Sequence, residues 1–452
     1  MDDAEKMGTR NVLHMSLGFL FVFFGFSTAQ NFVVPLFGNI GSLSLGVLYF
    51  VFTFVLLAGP PLMNRLGGPK RAMVIGASGY VLYSCSLIYL WIPTIMLGSV
   101  VIGVSAALLW TGQGTFMAHN SNDSNSGTLS GYFWAMLMAS NLFGNVSASL
   151  IIRALGKSDD TNVCKVQSAE KSFSPGWNGT DSMLFILLAG VGAVGVAILS
   201  CVPGTRGSEA GGDDGASSRH STPFEKLMAT VRVLKTRRML LLSPLFFYTG
   251  IGVTFYSAQF TRQVCHPSDI GFIMAGLGAA EMAGSVAFGR LSDRTGSTVI
   301  VGLAAVLQAA ALAVAWKANS AQNSLLYGAA ALLGLADCGF QTMMYKVLQE
   351  QQTGDPEEAF AAYKFVQTLA CTIGFLYTPL FVTKPAKVAT AAQFKAEIVV
   401  VAAFLALGML GFLILQLSND AVGSRSDDKP TGDYVRVADS RESDKQGEIG
   451  TA

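Results

Sequence analysis

Three ionisable side chains lie inside long apolar stretches of the second half of the chain: Glu281, Asp337 and Lys364. A charged side chain in the hydrocarbon of a bilayer costs several kcal/mol, so such residues are usually paired, protonated or functional. Asp337 and Gln341 are four residues apart and would share one face of a helix. The pattern fits a cation site or proton relay built from Glu281 and Asp337. It fits equally well an ion pair of purely structural role between Lys364 and one of the two acids.

The segments that carry these residues indicate a membrane protein. The chain is 51% hydrophobic and 13% charged, with a mean hydropathy of +0.47. Apolar runs of about 18 residues or more are long enough to cross a bilayer as helices, and they are too uniform for barrel strands. We predict an all-α polytopic fold with spans at 11–34, 42–63, 71–90, 92–118, 127–152, 182–202, 239–261, 268–290, 297–317, 324–346, 358–382 and 396–417.

These spans divide the chain into two six-helix halves, residues 1–202 and 239–417. The linker at 203–238 is rich in glycine, serine and charge, and then carries apolar residues at helical spacing among basic ones. We expect an amphipathic helix on the inner membrane face there, the alternative being a solvated linker. The polar segment 418–452 predicts a disordered cytoplasmic tail.

The distribution of Lys and Arg predicts that both termini are cytoplasmic, because basic residues concentrate in the loops on that side. On this topology Asn178, in an Asn-Gly-Thr sequon, lies in the longest outer loop and is a glycosylation candidate. Cys164 and Cys265 also fall in outer loops, one in each half, and are candidates for a disulfide.

The histidines have no metal-ligand spacing, and the net charge of +1 gives no nucleic-acid signal. We expect no metal, no cofactor and no enzymatic activity.

The two halves repeat at an offset of about 229 residues. "PPLMNRLGG" (60–68) aligns with "GRLSDRTGS" (289–297), so that Asn64 meets Asp293 and Arg65 meets Arg294. The second segment resembles the Gly-x-x-x-Asp-Arg-x-Gly signature of the major facilitator superfamily, in which the Asp and Arg pin helices at the cytoplasmic gate. The first copy departs from it with Asn64 in place of the acid. The resemblance implies a gate formed by Asn64, Arg65, Gly289, Asp293, Arg294 and Gly296.

Within that superfamily the chain is similar to the uncoordinated-93-like family, and most of all to its major facilitator domain-containing orphan branch. The segments that carry the resemblance keep their order along the chain: "FGFSTAQN" (24–31), "LLWTGQGTFM" (108–117), "SGYFWAMLMASNLFGN" (130–145), "GLGAAEMAG" (276–284), "GLADCGFQT" (334–342) and "AYKFVQTLACTIGF" (362–375). The resemblance implies the major facilitator fold, twelve helices in two pseudo-symmetric halves. Some members of the family regulate potassium channels, some escort receptors, and others are orphan transporters.

Polar amides recur within this architecture. "FGFSTAQN" ends in Gln30-Asn31, and Gln259 in "FYSAQF" (255–260) lies 229 residues after Gln30. The superfamily's central cavity is lined by helices 1, 4, 7 and 10. We therefore expect a symmetric polar ring, with Gln30 and Gln259 at the outer mouth and Gln113 and Gln341 at the inner mouth. The alternative is plain interhelical hydrogen bonding. The candidates for binding a solute or ion are Gln30, Asn31, Gln113, Gln259, Glu281, Asp337, Gln341 and Lys364.

Two functions stay open at the level of sequence. The duplicated glutamines, the gate motif and the intramembrane acids favour a secondary transporter of a small solute or ion, working by alternating access of the two halves. The family resemblance, Asn64 and the absence of acids from the first-half spans favour a non-transporting regulator of an ion channel, or an escort of a membrane partner. The predicted partners are the bilayer with an unknown solute or ion, or a channel or receptor. The predicted location is the plasma or endolysosomal membrane.

Overall fold

The computed structural model describes residues 3–121, 126–155, 176–177, 179–203, 223–318, 323–350, 356–381 and 391–427. The helices are α1 (Asp3–Phe37), α2 (Asn39–Leu56), α3 (Gly59–Arg65), α4 (Pro69–Ser86), α5 (Ile92–Asn120), α6 (Ser126–Ala154), α7 (Gly179–Ser200), α8 (Pro223–Leu234), α9 (Arg237–Thr254), α10 (Pro267–Thr295), α11 (Ser297–Lys317), α12 (Asn323–Glu350), α13 (Pro356–Phe381) and α14 (Ala391–Asp427). Two short strands, β1 (Tyr89–Leu90) and β2 (Gly176–Trp177), pair antiparallel.

The prediction of an all-helical membrane protein is confirmed. Among the described residues, ten helices are long and apolar enough to cross a membrane. The other two predicted spans correspond to α4 and α12, which carry more polar residues and pack within the same bundle. We call the end of the bundle at which α1 begins the proximal end, and the opposite end the distal end.

Some helix boundaries differ from the prediction. The span predicted at 42–63 is broken, because α2 ends at Leu56 and α3 begins at Gly59. Pro60 and Pro61 lack the N–H donors that a helix interior needs, and they fit only in a first helical turn. At the other end of the chain, α14 continues to Asp427, past the predicted tail boundary at 418, and the rest of the tail lies outside the described residues. In the linker, α8 occupies the predicted place and packs against α13.

The seventh membrane helix changes form at its distal end. After α9 the chain continues as a π-helical segment, Phe255–Phe260, and then as a 3₁₀ segment, Thr261–Gln263. This π segment is the "FYSAQF" copy of the repeat, whereas the corresponding stretch of α1 stays α-helical. Both segments pack against α1, so the two halves meet at the distal end. Single π turns are frequent at functional sites, because they rotate side chains off the α-helical register.

The helix packing repeats between the halves. In the first half α1 packs on α6 and α7, and in the second α9 packs on α13 and α14. Likewise α5 packs on α2 and α4, as α12 packs on α10 and α11. Gly103 and Gly334, which the repeat aligns, hold equivalent places: Gly103 faces the backbone of Leu48 in α2, and Gly334 faces that of Leu277 in α10. The fold is therefore two pseudo-symmetric six-helix halves, as predicted.

The halves contact each other mainly through α6 with α10 and through α2 with α13. A Cβ on Gly278 of α10 would lie 2.9 Å from the backbone nitrogen of Leu142 in α6, and one on Gly271 would collide with the carbonyl oxygen of Asn145. These two glycines are two helical turns apart on one face of α10. Their lack of side chains lets α6 and α10 approach closely, which positions the polar groups described next.

Candidate functional site

A cluster of amides lies where α1 meets α6. The Asn31 Nδ2 donates hydrogen bonds to the Oδ1 atoms of Asn145 and Asn141, at 3.2 and 3.4 Å. The Asn145 Nδ2 in turn donates to the Asn141 Oδ1 at 2.8 Å and to the Asn141 carbonyl oxygen at 2.7 Å. Asn31 and Asn145 are buried, so these bonds satisfy amides that no water reaches.

The cluster continues across the boundary between the halves. The Asn141 Nδ2 donates to the Glu281 Oε2 at 3.2 Å. Glu281 lies at the middle of α10 and is 2% exposed. Its carboxyl group contacts that of Asp337, at the middle of α12. Two carboxyl groups hydrogen-bond to each other when one of them carries a proton.

Beyond Asp337 the contacts pass into α13 and α9. Asp337 contacts Gln341 one turn along α12, and the Gln341 Oε1 accepts from the Tyr363 hydroxyl at 3.0 Å and from the Gln367 Nε2 at 3.4 Å. The Gln367 Nε2 also lies 3.1 Å from the Thr249 Oγ1 of α9 and 3.0 Å from the Tyr363 hydroxyl. We use "polar chain" for the whole series, which runs through Asn31, Asn145, Asn141, Glu281, Asp337, Gln341, Gln367 and Lys364.

Lys364 ends the polar chain. Its Nζ donates to the Gln367 Oε1 at 2.8 Å and lies 5.0 Å from the centre of the Tyr363 ring. Lys364 therefore reaches the acids through two glutamines rather than by a direct ion pair with Asp337 or Glu281. Of the predicted binding residues, the structure brings Asn31, Glu281, Asp337, Gln341 and Lys364 into this one chain.

A pocket opens beside the polar chain between the two halves. Trp134 and Met138 of α6 line one side, and Ser285, Asp337, Cys338, Gln341 and Thr342 of α10 and α12 line the other. Its free space is about that of one water molecule. Trp134 stacks on Trp110 of α5, with ring centres 6.2 Å apart and planes inclined by 25°. The first half thus presents an aromatic wall, and the second half presents a carboxyl group.

The other predicted glutamines have separate partners. The Gln30 Oε1 accepts from the Tyr49 hydroxyl at 3.2 Å, and the Tyr49 ring stacks on Phe375 of the second half with centres 5.3 Å apart. Gln259 lies in the π segment, where its Oε1 accepts from the Arg262 Nη1 at 3.5 Å. Gln113 is half-buried in α5. Each of these two hydrogen bonds joins residues of the same half, and the symmetric ring stays a prediction.

The predicted gate lies at the proximal end of the bundle. Asn64 and Arg65 are exposed at the end of α3, and Arg294 and Gly296 are exposed at the end of α10. Gly67 and Gly296, which the repeat aligns, share a left-handed backbone with φ of 85° and 84°. Gly289 has open space around its Cα, and the side chain of Asp293 lies outside the described part of the chain. The glycine turns that contain Gly67 and Gly296 are therefore duplicated between the halves. The gating role of these residues stays a prediction.

Two predicted sites fall at the edge of what the structure describes. Asn178 lies outside the described residues, so its glycosylation stays a prediction. Cys265 is buried and is not among the free cysteines of the described residues, which are Cys85, Cys201, Cys338 and Cys371. Its predicted partner, Cys164, also lies outside the described residues, and the pairing stays a prediction.

Sequence reasoning missed four members of the site: Asn141, Asn145, Tyr363 and Gln367. A signal for three of them was present, since Asn141, Asn145 and Gln367 are amides inside apolar spans, like the predicted glutamines. Asn141 and Asn145 are also four residues apart, the spacing that already linked Asp337 with Gln341. What the sequence lacked was any indication that these amides face the second-half acids.

Comparison with known proteins identifies the family. The family model of the ion channel regulatory protein UNC-93 matches residues 38–401. The chain belongs to the UNC-93 family. Its members include UNC93-like protein 3 of Arabidopsis thaliana, 29% identical over 398 residues that cover 83% of this chain and 82% of the relative. Protein unc-93 homolog A of Bos taurus is 28% identical over 409 residues, covering 82% of this chain and 87% of the relative.

The predicted family resemblance is thus confirmed, and a protein of the orphan branch is among the relatives. UNC93-like protein MFSD11 of Xenopus tropicalis is 26% identical over 422 residues, which cover 83% of this UNC-93 family chain and 91% of the relative. Among solved structures, the nucleoside transporter NupG matches with a TM-score of 0.61 at 12% identity, over 89% of this chain and 99% of NupG. At that identity the match shows the fold alone, which is that of the major facilitator superfamily. This fold and the UNC-93 family together indicate a polytopic membrane protein.

Proposed function

We propose that this UNC-93 family protein is a secondary transporter of a small solute or ion, working by alternating access between its two six-helix halves. The observation that carries the proposal is the polar chain. It runs from Asn31 to Lys364 through helices of both halves and crosses between them at the 3.2 Å bond from Asn141 to Glu281. Buried polar residues inside a membrane bundle are costly, and they mark pathways for solutes, ions or protons.

The position of the pocket supports the same proposal. Asp337 and Gln341 lie near the middle of α12, and Trp134 belongs to the proximal part of α6, so the pocket lies toward the proximal side of the polar chain. At the distal end, by contrast, the π and 3₁₀ segments pack against α1, and the Arg153 Nη2 pairs with the Asp269 Oδ1 at 3.0 Å across the halves. We interpret this arrangement as a state that is closed at the distal end.

Reciprocal accessibility of the two ends tests the proposal. In a background that lacks the free cysteines, single cysteines at Gln30 and at Gln113 report on the distal and proximal ends. They would be labelled with a membrane-impermeant maleimide from each side of sealed vesicles. A second pair, Arg153→Cys with Asp269→Cys, allows the distal end to be locked by a short bifunctional maleimide. We expect the lock to lower labelling at position 30 and to raise it at position 113, compared with the same variant before crosslinking.

The second candidate function is a fixed scaffold that regulates an ion channel or escorts a membrane partner. The description of the family model, an ion channel regulatory protein, favours it, as does Asn64 in place of the first gate acid. A scaffold needs no second conformation. If the lock changes labelling at neither position, and the distal end stays sealed in every condition, the transporter proposal fails and the scaffold becomes the better account.

A further inference from the structure

We propose that the pocket between Trp134 and Asp337 binds a weakly hydrated monovalent cation of about the size of a water molecule, in exchange for the proton that Glu281 and Asp337 share. The proposal rests on the transporter function above and names its substrate or coupling ion. Its basis is the composition of the pocket walls, the free space between them and the charges around Asp337.

The pocket walls suit a cation. Asp337 lines one side, and the indole of Trp134, stacked on Trp110, lines the other. The face of a tryptophan ring attracts cations, with about 0.5–2 kcal/mol of stabilisation that grows as water is excluded. Ser285 and Thr342 also line the pocket, and their hydroxyl oxygens could serve as neutral ligands. An anion would instead face the carboxyl group of Asp337 with no cationic side chain in the pocket wall.

The size of the pocket and the ligands in its wall limit which class of cation it can bind. Free space for about one water molecule suits potassium or ammonium, which are of similar size to water, better than alkylated ammonium ions. Divalent cations take six or more oxygen ligands, usually with several carboxylates, and magnesium loses its water reluctantly. An aromatic wall offers no oxygen ligand. It therefore favours a cation that loses its hydration water easily.

The charges around the pocket require that a cation binds in exchange for a proton, rather than in addition to it. Titratable groups that interact electrostatically with Asp337 lie on the elements around it: Tyr248 of α9, Tyr256 of the π segment, Glu281 of α10, Cys338 of α12, and Lys364 and Cys371 of α13. With one proton shared between the two carboxyl groups, their single negative charge faces the single positive charge of Lys364. A further cation would leave an uncompensated buried charge unless the shared proton is released to the bulk water. Binding then occurs with both carboxyl groups ionised, and the net charge is unchanged.

Proton release on cation binding provides the test. The purified full-length protein, in detergent and weak buffer with a pH indicator, is titrated with potassium or ammonium chloride at constant ionic strength. Sodium, N-methylglucamine and tetraethylammonium chlorides serve as comparisons. We expect saturable proton release and a rise in melting temperature with potassium and ammonium, a weaker response with sodium, and none with the two bulky cations. A response of equal size with all five salts overturns the proposal.

Matched variants test which residues are responsible for proton release and for cation affinity. Asp337→Asn should abolish proton release, whereas Asp337→Glu should keep it at altered affinity. Trp134→Leu should weaken cation affinity about 2- to 30-fold, the equivalent of 0.5–2 kcal/mol, and leave the released proton unchanged. Glu397→Gln, a buried acid of α14, and Trp316→Leu, an exposed tryptophan of α11, are the controls and should behave like the wild type. Proton release that persists in Asp337→Asn with an intact melting transition overturns the proposal.

The two proposals fail in different ways. If the distal lock alters proximal labelling but no cation releases protons, the cation assignment is wrong and the transporter proposal stands. If cations release protons through Asp337 but the lock changes no labelling, the pocket is a fixed cation site and alternating access is wrong.

Discussion

The Asn141 amide and the Glu281 carboxyl group are joined by a 3.2 Å hydrogen bond that crosses between the two halves of the molecule. Asn141 belongs to α6 and Glu281 to α10, the helix pair that forms one of the two main contacts between the halves. A rocking motion that separates these helices has to break this bond or carry both residues along. The pair therefore couples the charge of the site to the arrangement of the halves.

Replacing Asn141 by leucine should destabilise the protein. The substitution removes the donor to Glu281 and the acceptor for Asn31 and Asn145 while keeping the volume similar. Hydrogen bonds between membrane helices contribute about 0.6–2 kcal/mol each, so we expect a clear fall in the melting temperature of the purified protein in detergent. Asn64→Leu, at an exposed position, is the control. A melting temperature equal to that of the wild type would show that the amide cluster contributes nothing to stability.

Close packing of α6 on α10 should depend on Gly278. Valine there would force its Cβ to within 3 Å of the α6 backbone, and overpacking of this kind costs about 1–3 kcal/mol. Gly276, two residues earlier on the same helix, has open space around its Cα and gives the matched control. We expect Gly278→Val, but not Gly276→Val, to lower both the melting temperature and crosslinking between cysteines at positions 153 and 269. Equal effects of the two variants would mean that helix propensity, rather than packing, explains the loss.

Lys364 should be energetically coupled to Asp337 although the two do not touch. The single variant Lys364→Met removes the positively charged side chain near the two acids. The single variant Asp337→Asn removes the acid and leaves the positive charge of Lys364 in place. We expect the double variant to be less destabilised than the sum of the single variants, by about 0.5–3 kcal/mol in a double-mutant cycle of unfolding free energies. The effects would simply add if Lys364 interacts only with Gln367 and the surrounding rings.

The Arg153–Asp269 pair should hold the distal end closed. Arg153 is half exposed, and its guanidinium carbon lies 4.5 Å from the centre of the Phe272 ring, so its effect on stability should be small and sensitive to salt. We expect Arg153→Ala to increase maleimide labelling of a cysteine at position 30. The charge-swapped variant, Arg153→Asp with Asp269→Arg, should restore the wild-type level. Labelling that stays low in Arg153→Ala would assign distal closure to the π segment instead.

Much of the fold was predictable, because insertion of a helix into a bilayer depends on the composition of one contiguous segment. The predicted spans and the two halves follow from that signal and from the repeat, whereas the family was recognised from the resemblance of segments such as "GLADCGFQT" (334–342). The break between α2 and α3 was missed although Pro60 and Pro61 were visible, because hydropathy continues across it. The π segment after α9 was missed for another reason. Its sequence resembles a stretch of α1 that stays α-helical, so the local sequence did not distinguish the two forms.

The sequence by itself determined which residues carry charge inside the membrane: Glu281, Asp337 and Lys364 have no other place to lie once their segments span the bilayer. The tertiary structure alone decided their partners. Asn141 precedes Glu281 by 140 residues, and Gln367 stands between Lys364 and Gln341 only because α12 and α13 are turned toward each other. The direction in which a helix presents its polar face is set by packing against distant segments. In this protein, glycines such as Gly278 fix that packing, because they let two backbones approach to a distance at which short amide side chains can meet.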